Sequence, residues 1–314
     1  MTSQFDVNEM SSGEKKEAIE KLEKTIQRLV KADLNDPIKI NNLIDLRISL
    51  GYLYSEFQEH YKEAIAQFLK AIELLKEDEE NRKRIASLKG SMASVYFAMR
   101  DFEMAMYFYR DSLELLDEKD IAERMISEKG LGISLMNLGF DKKGIEHLLQ
   151  SLNLCVEQSD IQNYMDIISV LKRYYSDHDE WGLVIDLEEK ALEILKKLNK
   201  PIEVAISHLE IGLALSKLEK YGDAMPHFKL AVNNALKKGS NKIIYQGILM
   251  VAETYIHLKK KEEAIKEYKK ALSMSSYMNN HEEIQKNRII LSTLGVNKEQ
   301  IENAIKKGKS KNKN

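Results

Sequence analysis

Apolar and small residues recur along this chain at helical spacing, and the helical stripes themselves repeat about every 40 residues. Ala64, Ala105, Gly144, Val184, Ala224 and Ala264 follow one another at this nearly constant step. Four residues after each comes Phe68, Tyr109, Leu148, Glu188, Phe228 or Tyr268. Residues i and i+4 stack on one helix face, so each bulky side chain lies over its small neighbour. A small residue returns three positions later, at Ala71, Ser112, Ser151, Ala191, Ala231 and Ala271. An earlier series, Gly51, Ala93, Gly132, Lys172, Gly212 and Ala252, marks the preceding helix of each pair. It is followed after three residues by Tyr54, Tyr96, Leu135, Tyr175, Leu215 and Tyr255. Small residues let helix backbones approach and large ones fill the space between neighbours. The pattern predicts six helix pairs over residues 37–278, an all-α solenoid.

The two small positions of a pair keep one spacing from the second pair onward, as from Ala93 to Ala105, and the first pair, Gly51 to Ala64, has one residue more. The extra length lies between pairs, from Ala71 to Ala93 and from Ala231 to Ala252. Second helices, and the helices that follow them, are therefore expected to be longer by almost a turn. Residues 1–36 are expected to hold an N-terminal helix from Ser11 to Ala32, capped by Ser11 or Ser12 and ended by Asn35-Asp36-Pro37. Residues 279–306 read as capping helices, His281 to about Leu294 and Asn297 to about Lys306. Ile284, Ile289, Ile290 and Leu294 are expected to hide the last apolar face. Residues 307–314 read as a disordered basic tail.

The stretches Leu50-Gly51-Tyr52-Leu53-Tyr54 and Tyr61-Lys62-Glu63-Ala64-Ile65-Ala66-Gln67-Phe68-Leu69-Lys70-Ala71 resemble the tetratricopeptide repeat, and six pairs in phase carry the resemblance over about residues 38–278. It implies a right-handed superhelical solenoid of antiparallel helix pairs that binds a protein or peptide. Two departures stand out. The period exceeds the family's usual 34 or so, and the closing proline is absent. Long repeats of this kind look like those of bacterial peptide-pheromone receptors and of some eukaryotic polarity and motor-adaptor proteins. The receptors place an effector domain before the repeats, where this sequence has room for about one helix. The fourth pair also departs, with Lys172 at the small position and Glu188 at the bulky one. Either both ends snorkel to solvent, or they pair inside a loosened, hinge-like repeat.

Charge alters this picture little. Lys and Arg total 48 against 50 for Asp and Glu, so no global field calls for nucleic acid or a membrane surface. No apolar run is long enough for a membrane span, and the first residues do not read as a signal peptide. The single cysteine, Cys155, excludes an intrachain disulfide and suggests a reducing, cytoplasmic setting. Among its neighbours Leu152, Leu154 and Val156 it reads as a small hydrophobe rather than a nucleophile. Other chemistry is near-miss only. Gly308-Lys309-Ser310 ends like a phosphate loop but has Asn303 for the earlier glycine. His281-Glu282-Glu283-Ile284-Gln285 lacks the second zinc-ligating His. Asp177-His178-Asp179-Glu180 reads as a polar turn. No enzyme activity, catalytic residue, metal site or cofactor is expected.

The resemblance implies that first helices line the concave face, at positions three before and one or four after each small residue. That places Tyr52, Ser94, Phe97, Lys129, Ile133, Met136, Arg173, Leu209, Leu213 and Glu253 in the groove, with Leu249 and Ile256 beside them. Apolar anchors of a peptide would then meet Leu209 and Leu213, and an acidic group Lys129 and Arg173. The opposing view is that the leucines pack between neighbouring first helices. The positions do not supply the clamp that chaperone-tail-binding members use. The overall reading is a non-catalytic scaffold or adaptor. Alternatives are a peptide-sensing regulator whose solenoid changes shape on binding, or an accessory or co-chaperone subunit of an enzyme complex. A homodimer is open.

Overall fold

The computed structural model describes residues 10–31, 36–75 and 78–311. The described residues form helices and turns without a strand. They divide into two compact units, Met1–Ile167 and Ile168–Asn314, with the boundary inside one helix.

The first unit opens with α1 (Ser12–Val30), capped by Ser11 in a reciprocal capping box with Glu14. Ile19 and Ile26 bury its inner stripe. The expected helix end at Ala32 and the break at Asn35 lie outside the described residues. Three pairs follow. These are α2 (Pro37–Ser55) with α3 (Tyr61–Leu74), α4 (Glu79–Ala98) with α5 (Phe102–Leu115), and α6 (Ile121–Asn137) with α7 (Asp141–Gln158). Next comes α8 (Ile161–Asp177), which spans the unit boundary. The second unit continues with α9 (Trp181–Lys197), then α10 (Pro201–Lys217) with α11 (Tyr221–Leu236), and α12 (Asn241–His257) with α13 (Lys261–Tyr277). It closes with α14 (His281–Thr293) and α15 (Lys298–Lys311).

The small–bulky code is realised as direct contact across each pair. A Cβ built on Gly51 would sit 2.6 Å from the Phe68 ring, and one on Gly212 2.5 Å from the Phe228 ring. A Cβ on Gly132 would lie 2.8 Å from both Leu148 Cγ and the Gly144 carbonyl oxygen. The returning small position makes a polar contact in two pairs: Ser112 Oγ donates to the Ala86 carbonyl (2.8 Å) and Ser151 Oγ to that of Met125 (2.7 Å). Turn aromatics repeat their partners too. Tyr221 stacks on His257 with ring centroids 4.2 Å apart, and Lys217 lies 5.7 Å from the Trp181 ring centre.

The repeat period is also written in the backbone. Within pairs the left-handed residues are Arg100, Gly139, Asp179, Glu219 and Lys259; between pairs they are Ser159, Asn199, Gly239 and Asn279. After each, an N–H reaches back five residues to a helix carbonyl. Asp101 to Tyr96 (3.0 Å), Phe140 to Leu135 (2.9 Å), Lys220 to Leu215 (2.9 Å) and Lys260 to Tyr255 (2.9 Å) are examples. This is the Schellman closure, which satisfies the orphan carbonyls of a helix end. The first pair, with its one extra residue, turns instead through a short 3-10 segment, Gln58–His60.

Three sequence expectations need correction. The longer second helices occur in α7, α9, α11 and α13, of 18, 17, 16 and 17 residues, whereas α3 and α5 have 14 and end in extended residues Leu75 and Leu116. There the extra length is a link, not helix. Ile289 does not cover the last pair, since it is 65% exposed. Ile284, Leu291, Val296, Ile301 and Ile305 do so, packed against Ala264, Tyr268 and Leu272. Finally, the last helix does not stop near Lys306. It continues to Lys311 because Gly308 crosses α13 closely, where a Cβ would lie 2.1 Å from the Ser273 carbonyl oxygen. The expected tail at 307–311 is therefore helix, and 312–314 lie outside the described residues.

Candidate ligand-binding surfaces

The groove positions fall in both units, and each unit is considered by itself. In the first, Tyr52 stands half-exposed, edge-on to Phe68 (centroids 5.2 Å), with its hydroxyl 3.0 Å from Ser91 Oγ. Ser94 hydrogen-bonds both the Gly90 carbonyl (3.0 Å) and the Tyr109 hydroxyl (2.9 Å). Phe97 turns toward Phe102 (centroids 5.4 Å), and Met136 lies over Gly144, so both pack on second helices. Ile133 is partly buried. Lys129 is engaged within its unit, bonding Asn163 Oδ1 and lying 3.9 Å from Asp166 Oδ2. An incoming acid would compete with these partners.

In the second unit Leu209 is buried, 7% exposed. Leu213 is 40% exposed, one position after Gly212. Arg173 occupies the equivalent place on α8; it is exposed and has no ion pair among the described residues. Glu253 is the third member of this row, and burial pushes its carboxyl up against the opposing pull of His257. Ile256 lies open a turn beyond it.

The fourth pair contains a buried ionic cluster. Glu188 is 1% exposed and its Oε1 lies 3.6 Å from Lys172 Nζ, which also meets Glu210 Oε1 at 2.9 Å. Desolvation raises the Glu188 carboxyl above its ordinary value; Ser207 and Lys172 pull the other way. The Ser207 hydroxyl is close, yet neither Ser207 Oγ nor Glu188 Oε2 has a hydrogen bond of good geometry. Lys172 and Glu188 do pair, with Glu210 as a member that spacing alone did not reveal. Its signal was present: Glu210 is a charged residue two positions before Gly212, facing back toward the preceding first helix.

One pair over, His208 on α10 and His227 on α11 bring their Nδ1 atoms to 3.2 Å. That contact requires one ring to donate and the other, neutral, to accept. Burial, then His227 and Lys196, push His208 down to about 4. Burial also lowers His227, with Glu189 and Asp223 opposing and Lys196 assisting. In the unfolded chain both rings regain a value near 6.5. Below that pH the unfolded state binds protons that the native pair does not, so stability is lost as pH falls from 6.5 toward 4. Urea denaturation between pH 7 and 5 should show a loss of about 1 to 2 kcal/mol from this pair, and His208→Gln should flatten that slope.

Other candidate chemistry resolves into structure. Cys155 is buried, which pushes its thiol up to about 11, opposite to the direction a nucleophile needs. Asp179 is a left-handed turn residue, and His178 Nδ1 lies 2.8 Å from the Tyr174 carbonyl. Among the described residues no group of three His, Cys, Asp or Glu side chains is placed to hold a metal ion, and no helix is long and apolar enough to cross a membrane.

A cavity of about 660 Å³ lies in the first unit, walled by α5 and α7 with α6 as its floor. Sequence reasoning missed it, because it is built on second helices rather than first. Met106, Arg110 and Leu113 reach it from α5, spaced by four and three residues on one helix face. That stripe, with Phe140 54% exposed at the opposite rim, was the available signal.

The tetratricopeptide repeat model matches residues 44–76 and 245–277, the first and sixth pairs. No curated protein matches the sequence. Among solved structures, the apo form of RapI is 15% identical, with 92% of this chain and 85% of that one covered and a TM-score of 0.61. The C-terminal part of a tetratricopeptide-repeat-containing protein from Cytophaga hutchinsonii is 15% identical over 81% of this chain and 98% of that one, with a TM-score of 0.50. Aspartyl phosphate phosphatase F from Bacillus subtilis is 16% identical over 99% of this chain and 86% of that one, also at 0.50. At these identities the likeness is one of fold. Two helix pairs of this chain thus match the tetratricopeptide repeat, and the chain shares the helix-pair solenoid fold of these structures.

Proposed function

We propose that the chain is a non-catalytic, cytoplasmic binding scaffold whose second unit takes a protein or peptide ligand on its first helices. The carrying observation is the row formed by Arg173, Leu213 and Glu253 on α8, α10 and α12, with Ile256 beside it. Leu213 and Ile256 are large apolar side chains left in solvent, and Arg173 is a forked donor without an ion-pair partner among the described residues. Such a row suits an extended or helical segment that sets an apolar anchor on Leu213 and an acidic group on Arg173. Solved structures of the same fold include a protein named as a phosphatase, but here Cys155 is buried and His208 and His227 face each other, which favours binding over chemistry.

Affinity capture with mass spectrometry tests this. Wild type is run beside Arg173→Glu/Leu213→Asp, with circular dichroism confirming that both are folded. Both residues are exposed, so the variant should keep its stability. A partner retained by wild type and lost by the variant supports the reading. A partner retained equally by both moves the site elsewhere on the molecule.

A further inference from the structure

We infer that the cavity between α5 and α7 binds a small amphiphilic carboxylate, an apolar chain of medium length ending in one carboxylate. The cavity volume, about 660 Å³, is within the range of small-molecule sites. Its interior is aliphatic: Met106 and Leu113 from α5 face Leu131 and Leu135 from α6. Charged groups also line it. Arg110 stands on the α5 side and Lys143 on the α7 side; both are exposed, and neither has an ion pair among the described residues.

The acids already present do not use up these cations. Glu128, on the floor, is almost fully buried and is answered by His147 Nδ1 at 2.6 Å and by Arg124 at 3.7 Å. Turned about its amide, Gln150 adds two further donations to Glu128, each at 3.1 Å. Glu114 on the α5 rim is exposed and is the remaining carboxylate. Two cations thus oppose one acid at the mouth of an apolar chamber. A neutral ligand would leave Arg110 and Lys143 without an anion, and a small polar acid would leave the aliphatic interior wet. A chain with both features meets both demands. The guanidinium gives a carboxylate two parallel donors, and the ammonium adds a third.

This site is separate from the row on the second unit, so the two proposals fail independently. Isothermal titration calorimetry of the full chain with sodium octanoate should give saturable binding at one site. Acetate, which lacks the tail, and octanol, which lacks the charge, should each bind at least about tenfold more weakly, a difference of about 1.4 kcal/mol. Arg110→Gln/Lys143→Gln should lose octanoate affinity by a similar factor with its thermal transition unchanged. Met106→Trp, which fills the chamber, should abolish binding; if that variant fails to fold, the charge variant alone decides. Octanol binding as tightly as octanoate would overturn the proposal, as would an unchanged charge variant or no saturable heat. A leucine-ended peptide with a free C-terminus that binds more tightly than octanoate would also overturn it, since the site would then belong to a peptide.

Discussion

Lys172→Ala should cost about 3 kcal/mol or more of stability at neutral pH, an unusually large loss for a lysine with part of its chain in solvent. The reason is what the lysine leaves behind. Glu188 is buried at the position where five other pairs place an aromatic ring or leucine, and Glu210 meets the same ammonium. Without the cation, one uncompensated carboxylate stays in the core beside a second acid. Adding Glu188→Phe should recover the loss and carry the double variant to or above wild-type stability, because alanine against an aromatic is the arrangement of Ala93 with Tyr109 and Ala252 with Tyr268. Urea denaturation of the wild type, the single variant and the double variant measures both steps. A single variant as stable as wild type would refute the account, and so would a double variant no better than the single.

The pH dependence gives a second reading of the same site. Burial raises Glu188 above its unfolded value, so the folded state holds its proton more tightly. The associated stability is present below the unfolded pKa and is lost as pH rises through the folded one. The single variant should therefore regain stability on acidification, while the double variant, lacking the carboxyl, should not.

Gly132→Val should be as damaging, costing about 3 kcal/mol or more. Helices α6 and α7 meet at Gly132 and Gly144, and one of the two atoms nearest to a new Cβ on Gly132 is a backbone carbonyl oxygen that has no rotamer to change. The helices must separate, and Leu148 loses its seat. Gly222→Ala, at a glycine with nothing within 4 Å of an added Cβ, serves as the control and should be neutral or slightly stabilising. Equal melting of Gly132→Val and wild type would show that the α6–α7 crossing is loose.

The helix pairs are legible in the sequence because each carries its own instructions: a small residue, a bulky one four positions on, and a fixed distance between the two series. The turns are less so. Arg100, Glu219 and Lys259 are not turn formers, and they adopt the left-handed conformation because the helices on either side are already locked together by packing. The last turn of α15 misleads for the opposite reason. Gly308 and four lysines between 306 and 311 look like a solvated tail until the Ser273 carbonyl beneath the glycine is seen. Site residues are legible only by row. Spacing assigns Leu209 and Leu213 to one face, but the fold buries the former and leaves the latter open. Lys129 enters the row by its spacing alone, while its partners Asn163 and Asp166 come from the next first helix, which no local pattern announces.

The left-handed residues Ser159, Asn199, Gly239 and Asn279 give successive inter-pair junctions the same backbone path. At Lys200 and at Ser240 the chain enters the next helix with an N–H bonded to the carbonyl five residues back, at 3.0 and 3.2 Å. A splice that joined Lys200 directly to Asn241 would meet the same local geometry on both sides of the cut. Gain or loss of a whole pair in this lineage would thus require no new turn to be invented, and the length of such an array is free to drift in whole-pair steps while its joints stay the same.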